Sequence, residues 1–579
     1  MTATQPFAVS PAQDSVAYDI AEMPFSIRGA WINLSRVTGI HVTKPDVHVV
    51  THTTGMHGVL AIIPTLRGER VEASVSGSSS MLTWSHGERQ LEATFESPDT
   101  IRLRGRGLGV RIEDGAPGLT SFTGAYLFRQ PADNAPVFTS YESGRRYRVT
   151  TISGSANVTG AECLGVADRW VEFHEADEWE VAIEEIKTGR RLYKPTRTFD
   201  ECARRIETEF TRYLDDIAPW RTSEFPGVAR AAYVMWSATV APAGELRRES
   251  MLMSKHWMDH VWSWDHCFNA LALLPAGLTP ALEQFTLPFD FQDETGALPD
   301  SVGHNVLLHN YVKPPIHGWC LRRLRELSPH PIPRDELLAI YEGLSRWTTF
   351  WLDHRRVPGR AVPYYEHGND SGWDNSTIFD LDRVIEAPDL AAFLIVQLDV
   401  LAECAAELGV EDRWSAERDR MLAAVVDDHW TGEAFVARSA HTGRDSTATS
   451  LLNVMPVFIA DRLPKEIADR LAAQAEQFLT EWGPATELVT SEHYEPDGYW
   501  RGPIWAPSTA LIEDGLRRAG YTELADTINA RFRRLCETSG FAENFDALTG
   551  RGLRDRAYTW TASVYLSFAA ETVRRSRAD

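Results

Sequence analysis

An N-terminal antiparallel β-sandwich followed by an (α/α)6 barrel is the fold class that the sequence predicts, and three observations carry it. Apolar residues alternate with polar ones from about residue 25 to residue 187, in short runs broken by Gly, Ser, Asn and Asp. Near Thr188 the period changes from two to roughly 3.6. Beyond Pro226 the pattern is helical almost throughout, and an even dozen helical segments pairs naturally into six hairpins closing as two rings.

In chain order, the strand-like runs are clearest at DVHVVTHTT (46–54), VEASVSGSSSMLTW (71–84), TIRLRGRGLGVRIEDG (100–115), RRYRVTTISGSANV (145–158) and DRWVEFHEADEWEVAIEEI (168–186). A basic, proline-containing turn, KTGRRLYKPTRTF, leads into DECARRIETEFTRYLDDIAPW, whose apolar spacing makes it a connecting helix. Three regions follow: a β domain over 1–187, a linker with its helix over 188–224, and a helical domain over 225–579. Helices are predicted at 227–240, 265–274, 280–291, 315–327, 334–353, 388–408, 411–429, 449–458, 465–479, 506–519, 522–539 and 558–575.

Composition narrows the function classes. A formal charge of −23 supplies no concentrated positive field for nucleic acid or an anionic membrane. No apolar run is long enough to span a bilayer, and the first twenty residues lack the basic and apolar regions of a leader, so a cytoplasmic location is expected. Six cysteines are scattered without a CxxC pair, which suits reduced thiols. His256, His260 and His266 lie near Asp259 and Asp265 without metal-ligand spacing, and neither metal nor cofactor is expected. The 19 tryptophans are many, and an indole face matches a pyranose ring.

The chemistry concentrates between helices, at WSWDH (262–266), GNDSGWDNST (368–377), DGYWRGPIW (497–505) and ENFDALTGRG (543–552). These loops are rich in Trp, Asp, Glu, Asn and Arg, the residue types that stack on sugars and bind their hydroxyls. Two carboxylates flanking a sugar cleave a glycosidic bond, one protonating the leaving oxygen while the other activates water or attacks the anomeric carbon. Asp374 and Glu543 are the candidates, and the indole of Trp373 next to Asp374 is expected to favour its protonated form.

Residues 225–575 resemble the catalytic domain of glycoside hydrolase family 63 and its mannosylglycerate- and glucosylglycerate-hydrolysing relatives, and more distantly trehalases. WSWDHCF, SGWDNS, YWRGPIW, ENFDALTG and YTWTA carry the likeness. The resemblance implies an exo-acting, inverting α-glycosidase for a small α-glucoside or α-mannoside, with Asp374 as general acid and Glu543 as general base. It implies that Trp264 and Asp265 help form the sugar pocket and that Trp500, Arg501 and Trp505 line it. Asp370 and Trp373, in the acid loop itself, complete the expected substrate-binding set. Phe545 stands where many relatives carry Tyr, which leaves the base in place and removes one hydrogen bond beside it.

Overall fold

The computed structural model describes residues 16–115, 125–165 and 167–577. Residues 1–15, which carry most of the leaderless N-terminal reading, lie outside the described residues. The chain divides into two compact units, one of Met1–Asp216, Thr222–His260 and Gly303–Asn305, the other of Ile217–Arg221, Val261–Val302 and Val306–Asp579.

The first unit holds the two antiparallel sheets of the β-sandwich. A meander of Ser74–Gly77, Leu82–His86, Arg89–Ser97 and Thr100–Arg106 continues through Trp179–Ile186 to Arg146–Ser153, Pro136–Ser140 and Ala125–Arg129. The second sheet runs Ala156–Thr159, Trp170–Phe173, Gly109–Asp114, His57–Leu66, Val42–Thr51 and Ile32–Gly39. Leu91, Ala93 and Phe95 alternate into the core, as period two requires. The alternating polar residues of the larger sheet are not solvated. Arg104 bonds Glu92 at 2.9 Å, Arg148 bonds Glu184 at 2.8 Å, and Arg102 bonds Glu96 at 2.7 Å, all six buried or nearly so. Helix α1 (Phe199–Ile217), the expected connector, covers part of this face: Asp200 accepts from Arg104 at 2.9 Å, and the guanidinium lies 4.0 Å from the Phe199 ring centroid. Helix α2 (Val228–Ala238) forms at its predicted place and groups with this unit.

In the second unit come α3 (His266–Leu273), α4 (Leu278–Thr286), α5 (His317–Leu327), α6 (Arg334–His354), the one-turn α7 (Gly368–Ser371), α8 (Pro388–Leu408), α9 (Ser415–His429), a 3-10 helix (Leu451–Arg462), α10 (Lys465–Gln477), α11 (Ala506–Arg518), α12 (Thr522–Ser539) and α13 (Thr559–Ser576). Six of them close an inner ring: α3 packs on α5, α5 on α8, α8 on the 3-10 helix, that helix on α11, α11 on α13, and α13 back on α3. Helices α4, α6, α9, α10 and α12 back this ring from outside. The division follows from side-chain pattern. Helix α8 is apolar nearly all round and buried over most of its length, whereas α9 buries only Met421, Val425 and His429, one stripe four residues apart. The segment predicted as an ordinary helix at 449–458 is a 3-10 helix, because Pro456 removes an N–H donor inside it and Ile459 leaves helical geometry.

Inner-ring helices approach closely at glycines. A Cβ on Gly318 of α5 would lie 2.4 Å from Gln397 Cα of α8, and one on Gly515 of α11 would lie 2.6 Å from the Val457 carbonyl oxygen. Both obstacles are backbone, so the helices must separate to admit even a methyl group. Gly318→Ala and Gly515→Ala are each expected to destabilise the barrel by about 1–3 kcal/mol, read as a lower urea midpoint; an unchanged midpoint would show that these crossings yield freely.

Candidate active site

The loops singled out in the sequence lead into the N-termini of inner-ring helices or lie beside them. Asp265 precedes α3, Trp505 precedes α11 and Tyr558 precedes α13, while the loop of Asp374 lies between α6 and α8. Helix N-termini present unpaired N–H groups and the positive end of the helix dipole, which suits a site rich in carboxylates.

The loop of Asp374 is held by a turn that other side chains would break. His367 caps α7 by accepting from Asn369 N at 3.1 Å. Gly372 has φ +72°, and a Cβ there would lie 2.6 Å from the Trp264 indole. At Gly368 a Cβ would meet the Asp374 carbonyl oxygen at 2.0 Å. Asp370 is an anchor: its carboxylate accepts from Arg355 at 2.8 Å, Glu366 N at 2.9 Å and Val312 N at 3.1 Å. With this frame fixed, Asp374 leaves the turn half-buried.

Residues 498–505 join this loop to the one bearing Glu543. Asn375 Nδ2 donates to Gly498 O at 2.9 Å, and Asn375 Oδ1 accepts from Trp500 N at 2.9 Å, so the amide side chain behaves like a strand partner. Arg501 Nε donates to Asn375 O at 2.8 Å, and its guanidinium pairs with Asp380 at 2.6 Å. At the other end Ile504 and Phe545 exchange backbone hydrogen bonds of 2.7 and 3.0 Å. The short hairpin Asn544–Phe545 with Gly552–Leu553, and a 2.7 Å bond from Glu543 N to Asp555 O, then fix Glu543. Phe545 is fully buried, with its ring edge-on to Phe532 at 6.3 Å.

Three indoles form a stack within this framework. Trp500 lies face to face with Trp505 at 3.9 Å and with Trp373 at 4.7 Å, and each of the three is only 1% exposed. Trp560 stands edge-on to both Trp505 and Trp264, at 5.6 and 5.7 Å.

Burial dominates the electrostatics. It raises the Asp374 carboxyl above its usual range; Lys313 opposes this, Asp300 adds to it, and His367 and a hydrogen bond from Tyr499 oppose it. Glu543 is pushed up to about 8 by burial first and then by the Asp555 carboxylate, against the pull of Arg554; Asp374 adds a further upward push. Asp265 is raised strongly by burial, with Lys313 opposing. Lys313, itself buried, pairs with Asp300 at 2.9 Å and donates to Asn369 O at 2.8 Å. Tyr499 and Tyr558 both feel Glu543 and Asp265, and Tyr499 also feels Asp374, which places the two phenols among the carboxylates. Among the described residues no protein group hydrogen-bonds Glu543 Oε2 or Asp265 Oδ2. These are acceptors in a buried site that only a ligand or solvent can satisfy.

All nine candidate residues thus lie in one framework. Five of them, Asp370, Trp373, Trp500, Arg501 and Trp505, spend their side chains on protein contacts. Sequence reasoning missed Asp300, Lys313, Tyr499, Arg554, Asp555 and Tyr558. Two of these were near to hand, Tyr499 inside DGYWRGPIW and Tyr558 at the head of YTWTA, but Tyr499 is brought inward by a left-handed backbone, φ +64°, that no local pattern announces.

A family model described as the mannosylglycerate hydrolase MGH1-like glycoside hydrolase domain matches residues 258–561. The chain belongs to that family. It is a glycoside hydrolase, in keeping with the likeness to glycoside hydrolase family 63. A protein named mannosylglycerate hydrolase from Rubrobacter radiotolerans is 25% identical over 54% of this chain and 91% of its own length. Mannosylglycerate hydrolase MGH1 of Selaginella moellendorffii is 34% identical over 54% of this chain and 80% of its own. The crystal structure of a bacterial glucoamylase complexed with acarbose covers 96% of this chain and 94% of its own at 10% identity, with a TM-score of 0.63, a likeness of fold.

In this glycoside hydrolase the Asn375 side chain sets the spacing of two loops without being placed to exchange a proton. Asn375→Ala is expected to lower kcat about 100-fold, the order of loss that follows a misplacement of roughly 1 Å, with the far-UV circular dichroism unchanged. Activity within twofold of the parent would show that the loop of Asp374 keeps its place without this clamp.

Proposed function

We propose that the protein is an exo-acting, inverting α-glycosidase that hydrolyses a small α-glucoside or α-mannoside, with Asp374 as general acid and Glu543 as general base. The observation that carries the reading is a pair of carboxyls within electrostatic reach of each other on two loops fused through one strip, one of them with a buried oxygen that no group among the described residues engages. Asp374, whose protonated form burial favours, gives its proton to the glycosidic oxygen as the bond to the anomeric carbon breaks. Glu543 Oε2 takes a proton from the water that attacks the opposite face of that carbon, and the hydroxyl so delivered completes inversion. Tyr499, beside both groups, steadies the charge as it moves from one carboxyl to the other.

Asp265, with its free Oδ2, is assigned to hydroxyls of the sugar being released, and Trp264 to the wall beside it. Asp370, Trp373, Trp500, Arg501 and Trp505 are assigned the positioning of those groups. The names of the two relatives point to glycerate as a leaving group, and glycosyl-glycerates belong in the substrate range beside α-linked disaccharides and oligosaccharides. No helix among the described residues is long and apolar enough to cross a membrane, and all six cysteines are free thiols, which supports a reducing compartment, the cytoplasm.

A panel of α-linked disaccharides, mannosylglycerate and glucosylglycerate tests for hydrolysis, and the pH profile on the best of them tests the roles. Glu543 has its pKa raised to about 8, so in the free enzyme it is ionised only above that value. As base it must be ionised, and kcat/KM is expected to fall as pH drops through about 8. A profile that instead holds below that pH and declines above it would make Glu543 the proton donor and reverse the pair.

A further inference from the structure

A second cavity lies at the other end of the barrel. Its volume is about 630 Å3, and it is bounded by α3, α5, α11 and α13, the chain following α3 and α5, and the segment around Trp220. That size falls within the range of about 300–1,000 Å3 typical of small-molecule sites and far exceeds a packing void. Trp220, Phe268, Leu271, Trp319, Val564 and Phe568 give it an apolar wall. Nothing in the chemistry of the acid and base uses it. Phe268 packs on Trp319 at 5.5 Å and on Trp264 at 6.3 Å, so one layer of rings separates it from the sugar pocket.

The charged groups around the cavity are unevenly committed. Asp514 accepts hydrogen bonds from Trp319 Nε1 at 2.9 Å and from Arg518 Nε at 2.8 Å; Glu513 accepts from Arg517 at 2.9 Å. Glu571 pairs with Arg323 and, at 3.5 Å, with Arg575. The acids are therefore satisfied. Arg574 is exposed and reaches Glu571 only at 3.9 Å, and Arg577, also exposed, has no ion-pair partner among the described residues. An apolar wall with two under-used guanidiniums at the C-terminal end of α13 matches a ligand with an apolar body and an anionic head.

We propose that this cavity is a second ligand site, for a small amphipathic carboxylate whose chain lies against the Trp220, Phe268 and Trp319 rings and whose head meets Arg574 and Arg577. The test is calorimetric titration of the full chain with octanoate, and with octan-1-ol as the neutral probe of equal length. One octanoate per chain is expected. Ala570→Trp, which fills the cavity from α13, is expected to abolish binding of both probes, with Ser567→Trp as a second filling variant judged by an intact melting transition. Arg574→Ala with Arg577→Ala is expected to weaken octanoate about tenfold, the order of one lost charge-assisted contact, and to leave octan-1-ol unchanged. Non-saturable heats, or equal affinity in a folded cavity-filling variant, would overturn the site. Equal loss of both probes in the arginine variant would overturn the anionic head.

Discussion

The barrel mouth depends on the strip 498–505, which holds the loops of Asp374 and Glu543 at a fixed spacing. On one edge it meets the loop of Asp374 through the side-chain amide of Asn375, and on the other it exchanges two backbone hydrogen bonds with the loop of Glu543. Neither loop has regular secondary structure long enough to hold itself, since α7 is one turn and the hairpin after Glu543 pairs only two residues on each side. A buried carboxyl on an unsupported loop would swing toward water to regain solvation. The strip, the Trp373–Trp500–Trp505 stack beside it and the Asp370 anchor prevent that movement.

Holding the carboxyls in place leaves them poorly solvated, and the same framework supplies limited compensation. Lys313 serves the side of the site that holds Asp374, Asp300 and Asp265. Arg554 serves the other side, where it moderates Glu543, bonds Asp497 at 2.6 Å and Asn544 at 3.2 Å, and lies over the Tyr499 ring. Each cation is already shared among several acids. Both members of the pair therefore stay protonated to higher pH than an exposed carboxyl would.

Much of this architecture was legible because it repeats. Helix α8 is apolar nearly all round, which suits an inner helix, and the strands of the sandwich show period two. The ion pairs Arg104–Glu92 and Arg148–Glu184 were not legible, since a strand that points charges at solvent and one that buries them in pairs have the same alternation. In the site, Asp374 and Glu543 stood out because glycine, aromatic and amide neighbours surround them in short segments. Lys313 and Asp300 did not, because their pairing spans a loop and is set by tertiary structure. The tryptophan count pointed toward sugar contact, yet three of the indoles in question stack mainly on one another, a use that composition does not distinguish from binding.

If a water on the Glu543 side attacks while Asp374 protonates the leaving group, the stereochemistry of the first product reveals it. Proton NMR of an α-glucoside or α-mannoside during its first turnovers should show the β-anomer of the released sugar before mutarotation adds the α-anomer. The α-anomer appearing first would rule out inversion and point to a covalent glycosyl-enzyme intermediate.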